Sequence, residues 1–394
     1  TDGRSLCTEI MTGPDVLNSL FAVLLRFRQF AIPVVGDLRK FYHSVKLPES
    51  NWTYFRFFWY QDPNDPTSPI VEHYMTIHLF GGNWAQSACV HVLFQSLLDA
   101  VELGMLDQEN ADRNRKAFYS DDYTRSFQTT KEAFQSVTKL IDLLSQSGFK
   151  LGKLLSSSRS LLKKFPAELL SPEAVEETVG LLGIKWNLPS DSLCVDVTPK
   201  DDEIKTKRQL LSNLASVFDP IGLATFITMP AKLLVQQCFR EDLDWDTELP
   251  EHIQREVDGW MSKINNIATV SCPRRISMLS SNRLRWQLHV LGDASQWVYA
   301  AIAFARSEDS NGQVDVRFLA SKTRLGPIKG LTIPRMELAA CVLVSRLSNL
   351  LRREMDIQFD SITHWSDSAA ALGYVRNTKT RFSVYVGNRV NEIQ

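Results

Sequence analysis

Tyr119-Ser120-Asp121-Asp122 sets two adjacent carboxylates between Arg115–Tyr119 and Tyr123–Phe127, which read as the arms of a short β-hairpin. Paired acids at a hairpin tip suit divalent cations at a site of phosphoryl transfer, because Mg²⁺ takes oxygen ligands and needs only one or two from protein. Asp-Asp is equally an ordinary turn dipeptide. Asp37 adds weight to the chemical reading: it ends an apolar strand, Ile32–Asp37, and would converge with the hairpin if the two are neighbours. Two metals about 3.5–4 Å apart would then stabilise the attacking and leaving oxygens of an in-line displacement. Successive strand side chains point to opposite faces, so Asp121 is the firmer ligand and Asp122 is not its equivalent. Tyr42, five residues beyond Asp37, is placed to lie against a nucleotide sugar or to be a core aromatic beside Phe41. Lys153 is placed to meet a leaving pyrophosphate or simply to be solvated.

A second set of acids lies downstream. Asp293 closes a strand, Glu337 sits in Pro334-Arg335-Met336-Glu337-Leu338 near a helix start, and Asp367 follows the strand ending at Trp365. Singly they read as a strand-end turn, an exposed helical glutamate and an N-cap region. Together they would be a second metal-binding set.

These positions need scaffolding, and 394 residues are enough for two or three domains. The first part reads as α+β: strands Ile32–Asp37, Tyr54–Tyr60 and Val71–His78, helix Asn83–Leu103, the hairpin, helix Lys131–Ser147 and strand Val179–Trp186. The middle is helical, with Lys207–Phe218, Thr228–Arg240 and Pro250–Ile267. Strands Leu284–Asp293, Trp297–Ala305 and Val314–Ala320, helix Arg335–Met355, strand Ser361–Trp365 and helix Ser368–Arg376 form a second α/β unit. The six scattered cysteines lack CxxC or Cys/His spacing, which argues against a disulfide framework or structural zinc and for an intracellular setting. No apolar run reaches membrane-span length, and Thr1-Asp2-Gly3-Arg4 is neither signal peptide nor natural initiator, so the chain is expected to begin inside a longer protein. A net charge of −1 is unlike a free-standing nucleic-acid binder. Yet Lys150–Lys164 and Lys322–Arg335 are basic stretches, which fit solvated faces or a nucleic-acid substrate.

Leu17–Phe30 with Val34-Val35-Gly36-Asp37, His78-Leu79-Phe80-Gly81-Gly82, Phe118-Tyr119-Ser120-Asp121-Asp122 and Leu182-Gly183-Ile184-Lys185-Trp186-Asn187 come in the order and spacing of reverse transcriptases. Lys207-Arg208-Gln209-Leu210-Leu211 through Ser216-Val217-Phe218-Asp219-Pro220-Ile221-Gly222-Leu223 resembles, more narrowly, the Pao/BEL-type LTR retrotransposon polyproteins. The resemblance covers nearly the whole chain.

It implies a reverse transcriptase-like palm with incomplete fingers (1–200), a helical thumb or connection (201–280) and a C-terminally truncated RNase H-like domain (281–394). Asp37, Asp121 and Asp122 would be the polymerase acids, with Tyr42 the steric gate and Phe80 and Gly81 in the nucleotide pocket. Gly183 and Trp186 would belong to the primer grip. Asp293, Glu337 and Asp367 would be the RNase H acids, and each domain would use two Mg²⁺ or Mn²⁺ ions. The implied partners are an RNA template, a DNA primer, RNA–DNA hybrid, dNTPs and other segments of the polyprotein, with no membrane. The chain departs from the family at Ala85-Gln86, where Ser-Pro is usual, and it stops before the usual fourth RNase H acid. The competing expectations are a degenerate, non-catalytic retroelement-derived module that binds nucleic acid or protein, and an autonomous RNase H-type nuclease.

Overall fold

Strand Ile32–Arg39 lies inside a four-stranded antiparallel sheet, flanked by Asp122–Phe127 on one side and Lys150–Leu155 on the other, with the two-residue strand Phe118–Tyr119 at the edge. The computed structural model describes residues 5–201, 203–279, 283–377, 379 and 381–394. Its chain divides into two units, residues 1–23 with 31–175 and residues 24–30 with 176–394.

In the first unit two helices cover the sheet. Ala85–Glu102 buries Cys89, Leu93 and Leu97, and Thr130–Gln146 buries Val137, Leu140 and Leu144. Both stripes follow the i, i+3/i+4 spacing of a helix facing a core, and they join Val34, Leu38, Phe41 and Phe149 in one cluster. Thr129 caps the second helix by accepting the Glu132 N–H. Arg115 falls in a helix, Gln108–Ala117, and not in the expected hairpin arm, because that segment has helical rather than alternating polarity and an Asp107 cap. Strands Arg56–Tyr60 and Ile70–Tyr74 form a separate hairpin.

The second unit contains two four-stranded sheets. One runs in the order Thr269–Pro273, Ser192–Asp196, Ile184–Asn187, Thr178–Leu181. The expected single strand Val179–Trp186 is therefore a hairpin: Leu182 and Gly183 both have positive φ (49° and 87°), the geometry of a tight two-residue turn. Helices Lys207–Ser216, Thr225–Arg240 and Glu251–Ile264 follow, the first with a Thr206/Gln209 capping box. The other sheet has the order Val314–Leu325, Val298–Glu308, Arg285–Ala294, Ser361–Trp365, the last pair parallel. Helix Ile333–Glu354 is the crossover between those parallel strands, as a parallel pair requires, and it packs on the sheet.

Residues 24–30 are tied into this second unit by two fully buried arginines. Arg28 donates to the carbonyls of Arg274 (3.1 Å), Leu319 (2.6 Å) and Phe318 (2.5 Å). Arg274 donates back to the Phe27 and Phe30 carbonyls and forms a bidentate pair with Asp191 at 2.8 and 2.7 Å. Among the described residues no helix is long and apolar enough to cross a membrane.

Candidate active sites

Two carboxylate centres emerge, one in each unit. In the first, cross-strand register puts Asp37 opposite Asp122. Ser120, at φ 56°, turns the hairpin, and the Asp121 carbonyl accepts the Leu38 N–H at 3.0 Å, which pins the tip beside the end of the central strand. On the other flank the register slips between Val35 and Asp37, so that Lys153 and Leu154 together stand opposite Gly36. Such a bulge re-aims a side chain. Lys153, at φ 47°, points its ammonium at Asp37 Oδ1, 3.2 Å away.

Asp37, Tyr42, His43, Phe80, Asp121 and Lys153 line one cavity of about 450 Å³. Gly81 follows at φ 90°, a Cβ there would meet nothing within 4 Å, and Phe80 is 74% exposed, so this edge of the cavity is open to a flat ligand. Asp122 does not line the cavity. Burial, then repulsion from Asp121 and Asp37, pushes its carboxyl up to about 6 against the opposing pull of Lys153. Burial also raises the Tyr42 hydroxyl, with a Ser120 hydrogen bond pulling the other way. His43, whose ring lies 6.2 Å from that of Phe80, had no signal in the sequence beyond its position after Tyr42.

Gly183 and Trp186 belong to the second unit. A Cβ on Gly183 would lie 2.7 Å from the Phe218 ring. Trp186 is fully buried, edge-on to Phe27 at 5.2 Å, and donates to Asp191 at 3.0 Å, so it anchors its hairpin from inside the core.

The second centre is tighter. Oxygen atoms of Asp293, Glu337 and Asp367 all lie within 4.8 Å of one another, and among the described residues no other group of three potential ligands closes to that spacing. The acids Asp37, Asp121 and Asp122 do not. Asp293 is carried by a central strand, Asp367 follows the parallel neighbour, and Glu337 stands in the first turns of the crossover helix. Gly292 allows the approach: a Cβ there would sit 2.5 Å from Val344 Cγ2 and 3.3 Å from the Ala340 carbonyl oxygen. Glu337 is buried, not the exposed helical glutamate that its position alone suggests, and its Oε2 has no hydrogen-bond partner. Burial, then Asp293 and Asp367, raises its carboxyl above the usual range. A buried carboxylate oxygen without a donor, facing two further acids, is a donor set that a hard divalent cation fits.

Beside this triad a cavity of about 500 Å³ is lined by Leu291, Ile302, Trp365, Asp293 and Asp367. Trp365 is half exposed and donates its indole N–H to His289 Nδ1 at 3.2 Å. Neither aromatic was expected at the site. The i, i+2 alternation of His289, Leu291 and Asp293 was the available signal.

The order of an α+β unit, helices and an α/β unit is shared with solved structures of a viral reverse transcriptase. The structure resembles a foamy viral protease-reverse transcriptase dRH in complex with double-stranded DNA, with TM-score 0.55 and 14% identity over 96% of this chain and 57% of that one. It also resembles the foamy viral protease-reverse transcriptase in complex with RNA/DNA hybrid, with TM-score 0.51 and 12% identity over 96% of this chain and 44% of that one. The chain thus spans about half the length of these proteins. Residues 206–368 match the family described as Pao retrotransposon-like RNaseH-like domain, and the resemblance to retrotransposon polyproteins stands on that match. No curated protein sequence matches the chain.

Proposed function

We propose that the chain is the reverse transcriptase and RNase H region of a Pao/BEL-type polyprotein, acting on RNA–DNA hybrid, template and primer by two-metal phosphoryl transfer. The observation that carries this reading is the convergence of Asp293, Glu337 and Asp367 on one point. Mg²⁺ or Mn²⁺ held by these three, and by Asp37 and Asp121 in the first unit, would supply an activated water or 3′-hydroxyl and a counter-charge for the leaving oxygen.

The chain's own groups supply the rest. Glu337 is held charged only at a cost, because burial and two neighbouring acids favour its protonated form; a counter-charge relieves that penalty. Trp365 and Leu291 wall the triad with apolar surface, which excludes water from one side of a bound strand. In the first unit Tyr42 and Phe80 present ring faces and edges to the cavity where a nucleotide sugar and base would lie. Lys153 holds its ammonium beside Asp37, ready to meet an anionic leaving group.

The test is cleavage of an RNA–DNA hybrid by the whole chain with Mg²⁺ or Mn²⁺, beside Asp293→Asn, and primer extension beside Asp121→Asn. Each substitution is expected to abolish its own reaction and spare the other. Equal activity with and without the carboxylate overturns that half of the assignment. A non-catalytic binding module is favoured for the first unit by one feature, the Lys153 ammonium seated on Asp37. It expects hybrid binding with no extension in either protein.

A further inference from the structure

Away from both carboxylate centres, the second unit contains two adjoining cavities of about 360 and 320 Å³ that share Lys322 and Arg324 as walls. Arg346 and Arg389 complete the charged lining of the first, and Lys232 that of the second. These five cations come from four elements: helix Thr225–Arg240, strand Val314–Leu325, and helices Ile333–Glu354 and Val384–Ile393. Two carboxylates face them, and both are engaged. Asp219 accepts the Leu223 and Ala224 N–H groups at 2.8 and 2.7 Å. Glu392 takes Arg346 in a bidentate pair. Arg389 is held in place, its guanidinium 3.5 Å from the Tyr385 ring centroid and donating to the Tyr385 carbonyl at 3.0 Å. Val342, Leu343 and Leu347 give the first cavity an apolar wall, which strengthens attraction for an anion, and Thr225, Thr228, Ser321 and Thr323 line the second with hydroxyl groups.

We infer that this basic trough is a binding site for phosphate groups, separate from the carboxylate triad. Its defining physical feature is the gathering of cations around two adjoining cavities; burial first, then Arg324, lowers the Lys322 ammonium, with Asp219 pulling the other way. An arriving anion relieves the repulsion from Arg324. Lys322 and Arg324 stand two residues apart on one strand, so their Cα atoms are about 6.6–7 Å apart, close to the repeat of a sugar-phosphate backbone. Arg324 is the cross-strand neighbour of Tyr299, and Tyr299 pairs with Ala294, next to Asp293. Arg346 lies nine residues beyond Glu337 on the same helix, about 13 Å along its axis. Successive strand residues alternate in face, so Arg324 shares the face of Ala294 and Tyr299 and not that of Asp293. Its strand is at the edge of the sheet, and a hybrid cut at the triad would reach the trough around that edge. Only this choice of ligand source, backbone phosphate of the hybrid, rests on the proposed nuclease activity; a free polyphosphate would present the same chemistry.

The experiment measures tripolyphosphate binding by calorimetry and RNA–DNA hybrid binding by fluorescence anisotropy in EDTA, over a salt series. The proteins are the whole chain, Arg324→Ala/Arg389→Ala, Lys232→Ala/Arg324→Ala and the charge-keeping Arg324→Lys, each checked for an unchanged melting temperature. Both double variants are expected to bind hybrid about tenfold more weakly, with a log K against log salt slope shallower by about 2, while Arg324→Lys stays near the parent. Tripolyphosphate binding lost in the double variants with hybrid affinity unchanged supports the site and assigns it to free polyphosphate. Both ligands binding the double variants as they bind the parent overturns it. Asp293→Asn separates the two readings: it should lose cleavage and keep both binding events, and a parent that cuts nothing fails the nuclease assignment without touching the tripolyphosphate result.

Discussion

The two carboxylate centres are assembled from similar parts and held in different states. In the second unit a glycine removes a side chain so that a helix can bring Glu337 onto Asp293 and Asp367, and oxygens of the three acids close on one another. In the first unit a bulge brings a lysine onto Asp37, and the charge of that lysine stands where a cation would otherwise relieve the acids. One centre carries its electrostatic strain on a buried glutamate; the other neutralises part of it internally and leaves Asp122 raised to about 6. The difference teaches that a lysine seated on an acid lowers the demand of its neighbours for a cation, while a buried glutamate beside two acids leaves that demand unmet.

The largest test of that contrast is metal binding without substrate. Mn²⁺ titration followed by electron paramagnetic resonance should find an ion at the triad, lost in Glu337→Gln together with about 10³-fold or more of the hybrid cleavage, roughly 4 kcal/mol. The first centre should take Mn²⁺ more tightly only after Lys153→Met; no gain in that variant breaks the comparison. Next come the glycines. Gly292→Ala drives a methyl into the β-branched Val344 and helix backbone and should cost about 1–3 kcal/mol by thermal melting, with cleavage reduced. Gly36→Ala meets mainly the Leu151 and Leu154 side-chain ends, at 3.0 and 3.2 Å, and should cost about 1 kcal/mol or less.

The pH dependence in EDTA separates the centres further. Asp122 has a folded pKa raised from 3.8 to about 6, so the folded state binds the extra proton between those values and stability falls as pH rises through that window. Asp122→Asn removes the penalty and should melt higher than the parent above pH 6, by roughly 1–2 kcal/mol after allowance for solvent, with no difference below about pH 4. The smallest effect has the opposite sign. Lys185 lies 2.8 Å from Asp196 and holds its carboxyl at about 2, a contribution present above the unfolded value and lost as pH falls through about 2. Both partners are largely exposed, so Asp196→Asn should lose only a few tenths of a kcal/mol at pH 7.

Much of this organisation was legible from residue order. Acids at strand ends and a hairpin tip announce themselves by type and spacing, and the amphipathic helices by their period. What was illegible depended on partners distant in the chain. Strand Thr269–Pro273 is short and pairs with Ser192–Asp196 across more than seventy residues, so it has no local partner to announce it. The Lys150–Lys164 basic run reads as a solvated face, yet Lys150–Leu155 is a sheet strand whose apolar positions are buried and whose bulge alone decides where Lys153 points. Glu337 looks like any exposed helical acid until Gly292 is seen to admit the helix. Leu182-Gly183 was a turn hidden in an apolar run, because positive φ at Leu182 contradicts its propensity.

The segment 24–30 has a consequence for how the chain is made and cut. The backbone enters the second unit at residue 24, leaves it after 30 and returns at 176. Arg28 emerges 246 residues before Arg274 and 291 before Leu319, the carbonyl groups that satisfy it. Assembly of the second unit must therefore wait until Arg274 and Leu319 have been made, a high sequence separation that slows folding. A single nick after residue 175 would not yield two self-sufficient pieces, because the N-terminal fragment carries away a strip of the other fragment's interior.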